Sequence, residues 1–155
     1  THATPAGFAA VSRKRDDEDG IALQYLDVCD VVLGGGTKFF TAAGRKDKRD
    51  VLADYAKAGF TVALTRDELR QANGGRILGL FDRSHLPYTL DVKNDEKLRA
   101  TVPTIAEMTE TALDRLAPSP NGFLLQIEGG RVDHAAHNND AAALLWAHAR
   151  TSDLP

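Results

Sequence analysis

A short apolar run that ends in a carboxylate, two glycines and a spaced set of ionisable residues constrains this chain more than any other stretch. It is Gly122 to His137, reading Gly-Phe-Leu-Leu-Gln-Ile-Glu-Gly-Gly-Arg-Val-Asp-His-Ala-Ala-His. Phe123 to Ile127 is long enough for a buried strand and too short for a helix. The strand predicted there delivers Glu128 to the carboxyl end of a sheet, the edge at which open α/β folds bind ligands. Gly129 and Gly130 then allow a sharp turn, because glycine adopts positive φ without steric cost. In a helix that follows, Asp133 and His137 stand at i and i+4, with Cβ atoms about 5–6 Å apart. A carboxylate oxygen and an imidazole nitrogen so placed can both reach one zinc ion at about 2.0–2.2 Å. Glu128, an oxygen-only donor, suits a harder cation such as magnesium. Asp-x-x-x-His alone also fits a solvated helix face, and Glu-Gly-Gly an ordinary turn. The density of the stretch weighs against both, since Glu128, Arg131, Asp133, His134 and His137 lie within ten residues.

Composition narrows the classes. At 155 residues with 43% hydrophobic and 26% charged residues, the chain has the make-up of an ordinary globular domain with a real core. A formal charge of -3 argues against a nucleic-acid partner, which calls for a basic stripe. No stretch approaches the length of a membrane-spanning helix. Cys29 is the only cysteine, which rules out an intrachain disulfide and a four-cysteine zinc site. The opening at Thr1 and the close at Pro155 read as those of an internal piece of a longer protein.

Taken in order, Thr4-Pro5 reads as a helix start, with Thr4 as the N-cap. Arg13, Lys14 and Arg15 form a basic cluster before an acidic run that suits the first turn of a helix over 17–28. Arginine is the natural phosphate clamp, its planar fork donating two parallel hydrogen bonds. Residues 30–33 form a predicted strand entering Gly34-Gly35-Gly36, a loop with the spacing of neither a P-loop nor a dinucleotide fingerprint. A helix over 49–58, a strand over 60–64, a capping box at Thr65–Glu68 and a strand over 76–81 follow. This alternation predicts a mainly parallel sheet with helices on its faces. Residues 82–102 show no period and read as a long loop, with His85 as a loop histidine. A second capping box, Thr104–Glu107, opens a helix to about residue 117, and another spans 141–150 with His148 facing solvent.

The Glu128–His137 segment and the Thr1-His2-Ala3-Thr4-Pro5 opening together resemble the alkaline phosphatases. The resemblance implies a segment of a three-layer α/β/α sandwich with its metal ligands at the carboxyl edge of a mainly parallel sheet. It further implies a dimeric, periplasmic or secreted enzyme that carries two zinc ions and one magnesium per site. Such enzymes hydrolyse phosphate monoesters through a phosphoserine. Carried over residue by residue, Asp133 and His137 would hold zinc, while Glu128, Thr4 and His2 would lie at magnesium. Arg15, eleven residues after the threonine, would bind phosphate with Arg13 as the fallback, and His134 would contact phosphate directly or through water. Gly34 to Gly36 would be structural, allowing close backbone packing. The nucleophilic serine sits in an Asp-Ser-Ala context in the family, and Ser12, Ser84, Ser119 and Ser152 lack it. An N-terminal bridging aspartate and C-terminal Asp-His and His ligands are also missing. Residues 1–155 therefore read as a partial domain without the nucleophile, expected not to turn over phosphate monoesters alone. The competing readings are a non-catalytic metal-binding or structural segment and a nucleotide binder built on the glycine loop.

Overall fold

Each strand of the computed structural model, which describes residues 3–152, follows a helix, as the sequence alternation predicts. Helices α1 (Ala3–Ala9) and α2 (Glu18–Val28) lead into β1 (Val31–Gly34), and a 3-10 turn (Thr37–Phe39) leads towards α3 (Val51–Lys57). Next come β2 (Thr61–Ala63), α4 (Arg66–Gln71) and β3 (Ile77–Leu80). The chain continues with α5 (Thr89–Asn94), α6 (Glu96–Thr101), α7 (Ile105–Leu116), α8 (Arg131–His137) and α9 (Ala141–Ser152). The sheet is parallel in the order β1-β3-β2, with Val31 and Thr61 both in register with Ile77. The α3 connection therefore passes the place of β3, and α4 returns the chain to fill it.

Central strand β3 is buried at every residue, as a parallel strand covered on both faces must be. Its side chains alternate between two cores. Leu78 and Leu80 pack with Ile21, Tyr25, Phe40 and Tyr55 on the α2–α3 side, while Ile77 and Phe81 pack with Leu69 and Val102 on the other. Two helical layers around one parallel sheet make the α/β/α arrangement that the sequence implies. The buried Tyr55 hydroxyl donates to the Ala22 carbonyl at 2.8 Å, and its ring meets Phe40 and Phe60 edge-on, so the polar tip costs the core little.

Both capping boxes form. Thr65 accepts from the Glu68 N–H and Thr104 from the Glu107 N–H, with each glutamate reaching back to the cap. Glu107 also receives Arg66 and Arg70, at 2.8 and 2.7 Å, which ties α7 to α4. Partial burial alone would raise its pKa, but the Thr104 N–H and the two guanidiniums prevail and hold it at about 2. Its folded pKa lies below the usual 4.5, so this stabilisation is complete above about pH 4.5 and is lost as pH falls towards 2. Glu107→Gln should thus destabilise the chain by about 1.5–3 kcal/mol at pH 7, with the gap to wild type closing on acidification. Thermal melts across that pH range check this; a gap independent of pH would contradict it.

Three expectations are corrected. Residues 123–127 form no strand: Leu124 is 78% exposed, and no ladder partner is found for them among the described residues. A strand exists only through the neighbour that shares its hydrogen bonds. Here a cleft runs between this stretch and β1. The 82–102 stretch is not one long loop but carries α5 and α6, with Val92 and Leu98 packed on the second core. Two six-residue helices are too short to display a period. Thr4 lies inside α1, so it does not cap that helix. His2 falls outside the described residues.

Candidate metal and phosphate site

The site is built from α8 outward. Gly130 is the N-cap of α8 with φ -57°, and Gly129 likewise keeps a negative φ; positive φ occurs at Gly122 before them and at Asn139 after α8. The expected role of the glycine pair is thus replaced by another. A Cβ on Gly129 would collide with the Thr151 side chain of α9, so glycine is required there for space. The Glu128 carboxylate folds back to within 3.7 Å of where a Gly130 Cβ would stand.

Within α8 the i, i+4 geometry holds. His137 Nε2 lies 3.5 Å from Asp133 Oδ1, with the two side chains 79% and 73% exposed. Both donors are accessible to an ion from solvent. His134 points elsewhere, half-buried, with Nδ1 3.2 Å from Arg131 Nη1 and its ring 4.4 Å from that of His85.

A cleft of about 1310 Å³ between β1 and residues 122–128 gathers most of the expected set: Thr4, Arg15, Glu128, Asp133 and His134 all line it. Arg13 and Lys14 do not, which separates Arg15 from its neighbours. His137 reaches the group through Asp133 rather than through the cleft wall. Four buried side-chain polar atoms have no hydrogen-bond partner among the described residues: Tyr25 Oη, Arg76 Nε, Gln126 Oε1 and Arg131 Nε. All four residues line this cleft. Arg76 Nε has the Asp30 carboxylate as an ion partner at 3.3 Å; the other three, each costing about 1–3 kcal/mol if left unpaired, belong to residues around one space. Burial, with Cys29 and Glu128 nearby, pushes the Tyr25 hydroxyl well above the usual tyrosine range, and it stays protonated as a donor.

The donor chemistry fits the implied ions in part. Asp133 and His137 offer the oxygen and nitrogen donors that zinc takes, half of a tetrahedral shell. Glu128 and Thr4 offer the oxygen donors of a hard cation. Among the described residues no group of three or more His, Cys, Asp or Glu side chains is close enough to hold a metal ion.

The glycine loop is a packing device. A Cβ on Gly35 would run into the Ser84 carbonyl, so backbone of the loop after β3 occupies the space that a phosphate cradle needs. His85, expected to be an ordinary loop histidine, stands with its ring 4.4 Å from that of His134. The rule applied to Glu128, that ligand-side groups follow the carboxyl ends of strands, applies equally to the loop after β3. Cys29 is half-buried at the end of α2, and His148 is exposed on α9.

Known proteins match along the chain. The family model described as alkaline phosphatase matches residues 1–149. Alkaline phosphatase 4 of Bacillus subtilis is 36% identical over 151 residues, which cover 93% of this chain and 31% of that protein. The repressible alkaline phosphatase of Saccharomyces cerevisiae is 33% identical over 173 residues, covering 92% and 30%. The crystal structure of Thermus thermophilus alkaline phosphatase superposes with a TM-score of 0.90 at 45% identity, over 96% of this chain and 31% of that one. A mutant of the TAB5 alkaline phosphatase with Mg bound in its M3 site superposes at 0.81 and 26% identity, over 98% and 42%. The chain spans about a third of the length of the curated relatives it matches. With the match running through both the α1 opening and the α8 segment, the chain belongs to the alkaline phosphatase family.

Proposed function

We propose that this chain is a partial domain of a phosphate monoester hydrolase, supplying its phosphate clamp and part of its metal shell. The observation that carries the reading is the cleft, which brings Thr4 and Arg15 from the start of the chain to Glu128, Asp133 and His134 near its end. Arg15 binds two oxygens of the phosphate group, and His134 contacts it directly or through water. Asp133 and His137 would hold a zinc ion; Glu128 and Thr4, with His2 by the family resemblance, would hold magnesium. Bound there, such ions supply Lewis-acid polarisation of phosphoryl oxygen. The chain's own residues bind and orient the anion, the guanidinium through paired charge-assisted bonds. Ser84 and Ser119 also line the cleft but lack the Asp-Ser-Ala context, so the nucleophile comes from outside this chain. The isolated chain is accordingly inactive on phosphate monoesters.

A homodimeric, periplasmic or secreted enzyme is the setting the reading implies. Among the described residues no helix is long and apolar enough to cross a membrane. The position of Gly35 against Ser84 favours this reading over a glycine-loop nucleotide binder.

Arg15 provides the test. In the enzyme carrying this chain, Arg15→Ala should weaken inhibition by inorganic phosphate by about 10–150-fold, the loss of charge-assisted bonds worth about 1.5–3 kcal/mol. Arg13→Ala should leave it near wild type. The reverse result would move the clamp to Arg13, and no effect from either would remove the phosphate role from this segment.

A further inference from the structure

We propose that His85 and Tyr88, on the loop after β3, are positioning residues that bracket the Arg131–His134 pair and set which ring nitrogen His134 offers to phosphate. The inference rests on the reading of His134 as a phosphate contact.

The loop is held before it reaches His85. The Asp82 carbonyl accepts from Gly36 N, Thr37 N and Thr37 Oγ1 at 3.1, 3.0 and 2.8 Å. Asp82 Oδ1 accepts from Ser84 N at 2.9 Å, and the Ser84 carbonyl fills the space that Gly35 leaves open. From this base the His85 ring meets the His134 ring with centroids 4.4 Å apart and planes at 58°. Three residues on, the Tyr88 ring lies under the Arg131 guanidinium at 3.7 Å, and its hydroxyl accepts from Asn138 Nδ2 at 3.0 Å. Arg131 opens α8 and Asn138 is its C-cap, so the bracket grips the helix at both ends.

Proton placement follows from donor chemistry. A guanidinium has donors and no acceptor. The 3.2 Å contact between Arg131 Nη1 and His134 Nδ1 therefore makes Nδ1 the acceptor and leaves the ring proton on Nε2. An imidazole set in this way presents Nε2–H, a donor, which is the polarity a phosphate oxygen needs. Tyr88 holds the guanidinium over its ring face, and His85 closes one side of the imidazole against rotation. The two act on phosphate only through Arg131 and His134.

Two measurements test this. In the histidine-labelled enzyme carrying this chain, nitrogen NMR should show His134 as the Nε2–H tautomer. His85→Ala and Tyr88→Ala should average the two tautomers, and His85→Phe, which keeps a ring face, should preserve the wild-type pattern. In the enzyme carrying this chain, His85→Ala should weaken competitive inhibition by inorganic phosphate about tenfold while kcat falls less, and His85→Phe should recover most of that affinity. An Nδ1–H tautomer in wild type, or a His85→Ala variant with unchanged tautomer and phosphate affinity, overturns the proposal. His134→Ala separates the two levels. If it weakens phosphate binding while His85→Ala does not, only the positioning role fails. If it leaves phosphate binding intact, the phosphate contact and the bracket built on it fail together. Each variant's thermal midpoint, expected within a few degrees of wild type, distinguishes a positioning defect from unfolding.

Discussion

Asp133→Ala, made in the enzyme carrying this chain, is expected to lose a zinc ion and to drop in activity by more than about 100-fold. The bound on magnitude comes from groups behind metal ligands, whose loss alone costs about 10–100-fold; removing a ligand exceeds that. Asp133 Oδ1 and His137 Nε2, 3.5 Å apart, are the pair in α8 placed to share an ion. Deleting one leaves a single imidazole as this chain's share of the shell, and a shell short of a carboxylate holds zinc more weakly. The fold should be indifferent to the change. Asp133 is 73% exposed and joins neither core, and exposed substitutions of this kind stay within about 0.5 kcal/mol. Elemental analysis of purified variant and wild type, alongside a thermal melt, is the check. Unchanged zinc content in a folded variant sinks the assignment of Asp133, whatever the activity does.

The largest effect on stability is expected at Arg45. Its residue is 2% exposed, the largest fully buried side chain among those described. Its Nε and Nη2 donate to the two carboxylate oxygens of Asp47 at 2.8 and 2.6 Å, and Nη1 donates to the Asp19 and Phe39 carbonyls at 2.9 and 2.8 Å. The paired guanidinium draws the Asp47 carboxyl down to about 2, below the usual carboxylate range. One side chain thus ties the start of α2, the 3-10 turn and the 41–50 loop together. Breaking a buried ion pair costs about 3–5 kcal/mol when it strands a charge inside. Asp47 is 48% exposed and can rehydrate, so Arg45→Ala should fall at the lower end, about 3 kcal/mol, through the lost bonds to the Asp19 and Phe39 carbonyls and the cavity. Arg45→Lys should recover little, because an ammonium cannot make the two-pronged bond to Asp47 while also serving both carbonyls. Urea unfolding decides it: a midpoint shift worth less than about 0.5 kcal/mol would show that water replaces the arginine without loss.

What could be read from the sequence was what lies within four residues along the chain. The Thr65–Glu68 and Thr104–Glu107 boxes formed because cap and third helical residue satisfy one another's backbone whatever surrounds them. The Asp133–His137 pair formed because helix pitch alone puts i beside i+4. The βα alternation and its parallel sheet followed from period and punctuation. Gly35 was legible as a packing glycine, though only through resemblance to a family.

The failures share one cause. Residues 123–127 have the composition of a strand, but a ladder is a property of two segments, and no second segment pairs with them among the described residues. Gly129 is there for the Thr151 side chain, a neighbour that no local spacing reveals. Nothing near Arg45 in the chain marks its burial, which depends on the Asp19 and Phe39 carbonyls as well as on Asp47. His85 gains its meaning from His134, and Tyr88 from Arg131, across most of the distance between β3 and α8. By itself the sequence determined the helix starts, the strand order of events along the chain and the spacing of the α8 donors, all set by bonds between near neighbours. Only the tertiary structure decided which of these residues share a cleft, because that depends on how the sheet holds distant loops against one another.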